Sequence, residues 1–328
     1  MTTPYRSRSK KIDPYESMKN RLSGLVLDPS IHREWDEIND IENEQLLSEE
    51  GSFGRVLSVV IRGRKYVMKE LRYADMLKDV EKYSIDDVVR EIEHQSIVHK
   101  SPYICPLRGI IVGISSVMLV MDPCGKEYNI QDHFQWRHFG QLCEAIASIH
   151  RYGILHLDIK PENTMTDENG NIKLIDFGQS MHVRDIQPKR VGTFGYEAPE
   201  VIVESDGHSS IQISPAVDMW ELGVTLYTMV TGVPPFGVGT IAEVESRISN
   251  AKWNREVLKY ANISAYRICE NLLVKEPRMR WTIRDVLNYM RNNGLYTPLR
   301  AQSRAQSRRR SRGSSRAPSR ALSRRMSV

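Results

Sequence analysis

The segment from residue 154 to 178, ILHLDIKPENTMTDENGNIKLIDFG, places four functional side chains at fixed spacings. Lys160 lies two positions after Asp158, and Asp176 lies 13 positions after Asn163. The polar turn DENGN between the last two predicts a hairpin, which would bring Asp176 back beside Asn163. Their oxygen atoms suit Mg²⁺, while an aspartate near a lysine suits a hydroxyl and a moving phosphoryl group. The segment therefore indicates phosphoryl transfer, with a solvated acidic loop beside an unrelated turn as the alternative.

A glycine-containing turn and a lysine precede this segment and could also act on phosphates. The turn is EEGSFGRV, residues 49–56, between two strand-like runs. Glycine lets backbone amides approach a phosphate closely and tolerates positive φ. Lys69 follows Gly54 by 15 positions, and Glu91 lies on the next predicted helix, where an acid could hold the lysine. Taken singly, such a glycine-containing turn is more often just a turn, and the default interpretation of the lysine and the glutamate is two surface charges.

The pattern of secondary structure changes near residue 122, which predicts two parts of different class. Before it, strand signals begin at Leu46, a helix follows Asp86 and Asp87, which could cap it, and Ile110–Met121 reads as a buried hairpin. That hairpin is too short and too interrupted to span a bilayer. A small β-rich part followed by a larger helical part is typical of an α+β fold.

The rest of the chain divides into helical and polar stretches. Residues 138–152 predict an amphipathic helix closed by Gly153, and after the hairpin that ends at Asp176 the chain is mainly helical to about residue 293. Residues 1–43 are polar with no clear period, which predicts a loosely held extension without the apolar stretch of a signal peptide.

Charge is distributed unevenly along the 328 residues, whose formal net charge is +5. Ten arginines and no acidic residue lie between Tyr296 and Val328, so the remaining chain has 36 basic and 41 acidic residues. In this stretch serines recur every four residues from Ser303 to Ser327, each three positions after an arginine. This composition cannot bury a core and predicts a disordered basic tail that binds nucleic acid or acidic proteins.

The cysteines favour an intracellular protein. They are scattered without a CxxC spacing, which predicts free thiols in a reducing compartment and a cytoplasmic or nuclear location. The four positions are Cys105, Cys124, Cys143 and Cys269.

In their order, the motifs resemble those of the eukaryotic protein kinase superfamily. The glycine turn, the strand lysine, the helix glutamate, the HxDxKxxN segment and Asp176-Phe177-Gly178 all match. Further matches are Ala198-Pro199-Glu200, Asp218 in DMWELGV as the brace of the catalytic loop, and Arg280 in EPRMR as the partner of Glu200. DIKPEN and GTFGYEAPE, which contains Thr193, resemble the serine/threonine type.

The resemblance implies a bilobal kinase domain at about 44–295, with a small lobe at 44–121, a hinge at 122–128 and a large lobe at 129–295, followed by the tail at 296–328. It implies ATP in the cleft, protein serines and threonines as substrates, and Mg²⁺. The residues implied in ATP binding are Gly51, Ser52, Phe53, Gly54, Val56, Lys69, Glu91, Met121, Asp122 and Cys124. Asp158 and Lys160 are implied in catalysis, and Asn163 and Asp176 in holding Mg²⁺.

Two departures from the family pattern affect different properties. Glu49 replaces the first glycine of the turn, so altered ATP affinity is expected. Leu157 replaces an arginine that in the family receives a phosphate on the activation segment. In this chain the part of the activation segment between Gly178 and Gly192 has Ser180 as its only hydroxyl. Both features predict activity without activation-segment phosphorylation.

Two other functions stay open. One is a pseudokinase, a binding module on the same fold, although the lysine, the two aspartates and the asparagine of the site are all present. The other is a polyanion-binding protein that acts mainly through the basic tail.

Overall fold

The computed structural model describes residues 13–33, 41–51, 54–78, 83–130, 134–185, 191–204 and 213–298. The predicted ATP-binding residues Ser52 and Phe53, and the predicted tail from residue 299 onward, lie outside these ranges. Within the described ranges, no helix combines the length and apolar character needed to cross a membrane.

The small lobe is built on a six-stranded sheet with the order β1-β5-β6-β4-β3-β2. β1 pairs with β5 in parallel, and the other neighbours are antiparallel. Because side chains alternate along a strand, β6 contributes Val117 and Leu119 to one apolar cluster and Met118 and Val120 to another. The strands are β1 (His32–Arg33), β2 (Ile41–Gly51), β3 (Gly54–Ile61), β4 (Arg64–Arg72), β5 (Leu107–Val112) and β6 (Ser116–Met121).

Two helices follow β4, namely α2 (Tyr73–Lys78) and α3 (Ile85–Val98). The predicted helix at Asp86 and Asp87 is therefore present, but neither residue is its N-cap. Ser84 is the cap, and its hydroxyl accepts from the amide of Asp87, whose carboxylate accepts from the amide of Ser84. This capping box satisfies amides that the first helical turn leaves without an intrahelical partner.

The prediction of a loosely held extension is wrong for residues 13–33. Residues Pro14–Ser23 form helix α1, with Asp13 as N-cap and Pro14 in the first turn. Met18 and Leu22, four positions apart, are buried in the small-lobe cluster, as is Ile31. The apolar positions recur at helical spacing within a polar sequence, so mean polarity hid a narrow buried stripe.

The large lobe packs helices around α6, whose residues from Val217 to Met229 are all buried. Ser214 caps this helix, and Gly232 ends it at φ +75°, in the left-handed region. The helices are α4 (Trp136–His150), α5 (Pro199–Glu204), α6 (Pro215–Thr231), α7 (Ile241–Ser249), α8 (Arg255–Ala261), α9 (Ile263–Leu272) and α10 (Ile283–Asn292). The α+β, bilobal prediction is confirmed.

Short strands carry the functional loops of the large lobe. β9 (Thr164–Thr166) and β10 (Ile172–Leu174) form the predicted hairpin, and β7 (Lys126–Glu127) pairs with β9. β8 (Ile154–Leu155) pairs with β11 (Met181–His182). Short 3-10 helices lie at Pro161–Asn163 and Pro277–Met279.

Two sequence predictions need correction. Tyr296, assigned to the tail, packs its ring against α4 at Gly140, where a Cβ would overlap the ring. Cys105 and Cys124 form a disulfide, with their Cα atoms 6.4 Å apart, whereas Cys143 and Cys269 are free, as predicted, and buried. The pairing could not be read from spacing because the partners come from different segments, one just before β5 and the other just after β6.

Candidate functional site

The strand lysine lies where the sequence predicts and is held by two carboxylates. Lys69 on β4 is in register with Val56 on β3. Its Nζ is 2.7 Å from Glu91 Oε1 and 2.9 Å from Asp176 Oδ1. Burial alone would lower the pKa of Lys69, but the charges of Asp176 and Glu91 raise it above its ordinary value. The lysine is therefore a fixed positive charge in the cleft.

The glutamate of α3 has a second partner that the sequence analysis missed. The hydroxyl of Tyr83 donates to Glu91 Oε2 at 2.5 Å, so both carboxylate oxygens are engaged. Burial and the adjacent Glu91 raise the pKa of Tyr83 well above its ordinary value, which keeps this donor protonated. Tyr83 stands two positions before the start of α3 and belongs to none of the motifs quoted above.

The catalytic loop, residues 156–163, is held by hydrogen bonds to α6 in the core of the large lobe. Asp218 on α6 accepts from the amides of His156 and Leu157 at 3.0 and 2.9 Å, which confirms it as the predicted brace. Its Oδ2 is also 2.7 Å from Nε2 of His150. Burial opposes ionisation, but His150 and the two amides lower the pKa of Asp218. The brace is thus a buried carboxylate that fixes the backbone of the loop.

Asp158 and Lys160 form one hydrogen-bonded group with Thr193 and Asn163. The hydroxyl of Thr193 donates to Asp158 Oδ1 at 2.6 Å and accepts from Lys160 Nζ at 2.6 Å. Lys160 Nζ is also 2.9 Å from Asp158 Oδ2. The side-chain nitrogen Nδ2 of Asn163 donates to Oδ2 of Asp158 at 2.7 Å. The segment containing Thr193 is thereby fastened to the loop.

Asp176 approaches the same group through the β9–β10 hairpin. The amide of Ile175 donates to the carbonyl of Asn163 at 3.0 Å, as expected from the predicted hairpin. Asp176 has φ +61° and stays ionised, because Lys69 and the amide of Gly178 lower its pKa against the effect of burial. Since the amide nitrogen of Asn163 is used by Asp158, its oxygen is the atom left for a cation. A carboxylate and an amide oxygen fit a hard ion such as Mg²⁺.

The predicted glycine turn lies at the end of the β2–β3 pair, and the predicted hinge follows β6. Gly51 and Gly54 face each other at the end of the β2–β3 pair. Gly54 has φ +144°, and a Cβ there would strike the carbonyl of Glu70, so only glycine fits. Glu49 lies in β2.

Met121 ends β6, and the hinge that follows carries the disulfide. The carboxylate of Asp122 pairs with Arg64 and Arg108. The backbone carbonyl oxygen of Asp122 lies 3.4 Å from the sulfur of Cys124.

The position of the replaced arginine is apolar. Leu157 has φ +63°, and its side chain is fully buried in the large-lobe cluster, which also contains Met181 and Val191 of the activation segment. Leucine offers no donor for a phosphate. The catalytic loop and this segment therefore share an apolar cluster in addition to the hydrogen bonds made by Thr193.

Ser180, the single hydroxyl between Gly178 and Gly192, joins the activation segment to α3. It donates to the carbonyl of Phe177 at 2.6 Å, and Nδ1 of His94 lies 2.9 Å from its oxygen. Because the serine proton is used, the imidazole must be the donor. Burial and the nearby Arg90 lower the pKa of His94 to about 4, so the ring is neutral near pH 7. The side chain of Ser180 is 2% exposed.

Glu221 is a buried acid behind the catalytic loop that the sequence analysis did not single out. Its Oε2 accepts from the amide of Ile159 at 2.8 Å. Burial first, and then the charge of Asp218, raise the pKa of Glu221 well above its ordinary value. It lies three positions after Asp218 on α6, so its spacing from that residue was the available signal.

The predicted pair Arg280 and Glu200 is confirmed. The guanidinium donates to both carboxylate oxygens, each at 2.7 Å. Such a bidentate pair is stronger and more directional than a single bond. It anchors the start of α5 to the large-lobe core.

Comparison with known proteins agrees with this geometry. The family model described as Protein kinase domain matches residues 45–290. Calcium-dependent protein kinase 27 of Oryza sativa subsp. japonica is 28% identical over 299 residues, covering 86% of this chain and 47% of that protein. The carbon catabolite-derepressing protein kinase of Candida tropicalis is 30% identical over 277 residues, covering 80% and 42%. Sperm motility kinase 3A of Mus musculus is 32% identical over 218 residues, covering 62% and 41%, so the chain spans less than half of each relative.

Proposed function

The chain belongs to the protein kinase family, and we propose that it transfers the γ-phosphoryl group of ATP to serine and threonine hydroxyls of proteins. One observation carries this proposal. Lys69 is paired with both Glu91 and Asp176, while Asp158 and Lys160 are joined through Thr193. The groups that would hold phosphate and the groups that would hold the accepting hydroxyl are thus assembled together in one conformation.

Each of these residues has a proposed role. Asp158 orients the substrate hydroxyl and accepts its proton. Lys160 neutralises negative charge on the phosphoryl group during its transfer. Lys69 positions the ATP phosphates. The backbone of the glycine turn covers the phosphates, and the hinge at Asp122 and Cys124 receives the adenine beside Met121.

Mg²⁺ completes the proposed site. The oxygens of Asn163 and Asp176 would hold it, and it would supply charge neutralisation on the phosphates. The fixed positive charge of Lys69 keeps Asp176 ionised and therefore able to bind a cation. Protein substrates, ATP and Mg²⁺ favour a cytoplasmic or nuclear location. That part of the proposal now rests on ATP use, because the Cys105–Cys124 pair removes the argument from free thiols.

The proposal includes activity without phosphorylation of the activation segment. Residues 183–191 contain no Ser, Thr or Tyr. Ser180 is buried and hydrogen-bonded to His94 of α3, and the hydroxyl of Thr193 donates a hydrogen bond to Asp158. Leu157 has no group to receive a phosphate.

The basic tail is proposed as a second binding element. Ten arginines attract polyanions through counterion release, which makes binding strongly salt-dependent. Each phosphate on a tail serine adds about −1.5 to −2 charges and would weaken that binding.

Self-phosphorylation of the tail is tested by mass spectrometry of the chain and its Asp158→Asn variant, both produced in a host without eukaryotic kinases. Phosphate on tail serines of the wild-type chain alone supports self-phosphorylation. Phosphate on neither chain, or on the variant alone, contradicts it.

The test of the function is phosphate incorporation from labelled ATP by the purified chain. We expect label on serine or threonine of protein substrates with Mg²⁺ and none after chelation. The pseudokinase alternative predicts nucleotide binding without incorporation. Incorporation that persists without divalent cations would contradict the role given to Asn163 and Asp176.

A further inference from the structure

Residues 13–33, which precede the segment matched by the kinase family model, form a compact unit here called the N-terminal wedge. It consists of α1, a connecting turn and β1. Met18 is fully buried, and Leu22 and Ile31 are nearly so. The wedge therefore behaves as part of the small-lobe core.

The wedge lies between α3 and β5. Helix α1 packs against both elements, and its Met18 and Leu22 share one apolar cluster with Val88 and Ile92 of α3 and Leu107 of β5. Outside the cluster, Arg21 forms an ion pair with Asp86 at the start of α3.

The far end of the wedge is fixed as well. β1 extends the sheet by parallel pairing with β5, with His32 opposite Gly109 and Arg33 opposite Ile110. Lys100, just past α3, donates to Asp28 of the wedge at 2.5 Å. The wedge thus connects α3 to the sheet at several points along its length.

Helix α3 is also the element that carries Glu91, the partner of Lys69. We propose that the N-terminal wedge is a positioning element for catalysis, with Met18 and Leu22 holding α3 where Glu91 reaches Lys69. This rests on the proposed function, because it concerns the geometry of the same site. The proposal assigns the positioning of α3 to residues outside the segment that matches the family model.

The physical reason is the coupling of two contacts through one helix. Movement of α3 away from the cleft would separate Glu91 from Lys69. It would also pull Val88 and Ile92 away from Met18 and expose apolar surface to water, which is unfavourable in proportion to its area. The sheet pairing of β1 keeps the wedge from simply following the helix.

If no phosphate fixes the position of α3, as proposed above, another contact must do so. An equilibrium between two positions of a helix can be shifted only by a contact that differs between those positions. Leu157 has no group that pairs with a phosphate, and residues 183–191 contain no hydroxyl that could carry one. Burial of the wedge provides a permanent contact.

The test compares two substitutions of buried aliphatic residues in the full chain. Met18→Ala removes a contact with α3, whereas Ile61→Ala truncates a side chain in the other small-lobe cluster, which contains no α3 residue. Met18→Leu conserves volume and should restore the wild-type behaviour. Thermal unfolding of all three checks that the two alanine variants are folded and comparably destabilised.

Two readouts separate positioning from general stability. We expect kcat of Met18→Ala to fall about tenfold with little change in KM for ATP, because phosphate orientation is lost rather than nucleotide binding. Ile61→Ala should keep a wild-type kcat below its melting temperature. Nitroxide labels on cysteines introduced at the exposed Glu93 and Arg151 should give one distance in the wild-type chain and Ile61→Ala, and a second, longer one in Met18→Ala.

An unchanged distance in Met18→Ala, or a kcat equal to that of Ile61→Ala, would overturn the proposal. The distance does not depend on turnover. If the wild-type chain transferred no phosphate, the proposed function would fail, while the label distances would still decide whether the wedge holds α3.

Discussion

Two regions that meet at the catalytic loop contrast in chemistry. Around Asp158 and Asp176 the chain is dense in charge, with ion pairs and hydrogen bonds of 2.6–2.9 Å. One residue away, Leu157 turns into an apolar cluster with Met181 and Val191. The first region brings together the charged groups proposed for phosphoryl transfer, whereas Leu157, Met181 and Val191 have no polar side-chain group.

The difference teaches that chemistry and control can be separated at neighbouring positions. A transfer site depends on charges at fixed distances, so single substitutions there remove function. Control depends only on which conformation is favoured, and packing can provide that as well as a phosphate can. In this chain the buried Leu157, the His94–Ser180 hydrogen bond and the N-terminal wedge are the contacts proposed to favour the assembled state.

The largest expected effect comes from the charged region. Asp158→Asn should lower kcat by about 10³-fold, because the hydroxyl loses its proton acceptor. Asp176→Ala should lower it by a similar factor through loss of a metal ligand. Both variants should remain folded. A steady-state assay with Mg²⁺-ATP measures this, and turnover in Asp158→Asn close to that of the wild-type chain would contradict the assignment.

In the apolar region, replacing Leu157 with the arginine of the family pattern should lower the stability of the folded state. Leu157→Arg would place an unpaired charge in a fully buried site and destabilise the protein by about 3 kcal/mol. Leu157→Met should cost less than about 1.5 kcal/mol. Denaturant unfolding of both variants measures the difference. Equal stability of Leu157→Arg and wild type would show that this region accepts a guanidinium after all.

A smaller effect is expected where the two regions are joined to α3. Ser180→Ala removes the acceptor of the His94 bond and should lower kcat about fivefold, the order expected for one buried hydrogen bond. Ser96→Ala is the matched control, since the Ser96 hydroxyl is bonded within α3 at the carbonyl of Glu93. His94→Asn keeps a donor and should retain most activity. Identical turnover in Ser180→Ala and Ser96→Ala would remove the bond from the account.

Glu221 gives a pH-dependent effect. Its pKa is raised in the folded state, so above the unfolded value near 4.5 the unfolded chain releases a proton that the folded chain retains. Stability contributed by this group is therefore lost as pH rises, with a slope of at most about 1.4 kcal/mol per pH unit until the folded pKa is passed. Glu221→Gln keeps the acceptor for Ile159 and should flatten that dependence. Parallel slopes of wild type and variant in pH-dependent unfolding would contradict this.

The sequence predicted the charged region better than the apolar one, for a physical reason. Asp158, Asn163 and Asp176 are tied to a short hairpin, so their spacing along the chain determines their proximity. The pairing of His94 with Ser180 joins residues 86 positions apart, and no local pattern marks it. The disulfide of Cys105 and Cys124 likewise joins different segments, and no local sequence pattern marks it.

The fold shows the same division. The two lobes followed from strand alternation and helical periodicity, which are local properties. Helix α1 was missed although Asp13 and Pro14 mark its start and Met18 and Leu22 its buried stripe, because two apolar residues stand among polar ones. Its partners on α3 and β5 become visible only in three dimensions.

The central claim is that this kinase domain is active without a phosphate on its activation segment. The direct measurement is turnover of the chain before and after treatment with a protein phosphatase, with phosphate content followed by mass spectrometry. We expect kcat to stay within about twofold of its initial value. A collapse of activity, with recovery only when phosphate returns to Ser180 or Thr193, would contradict the account.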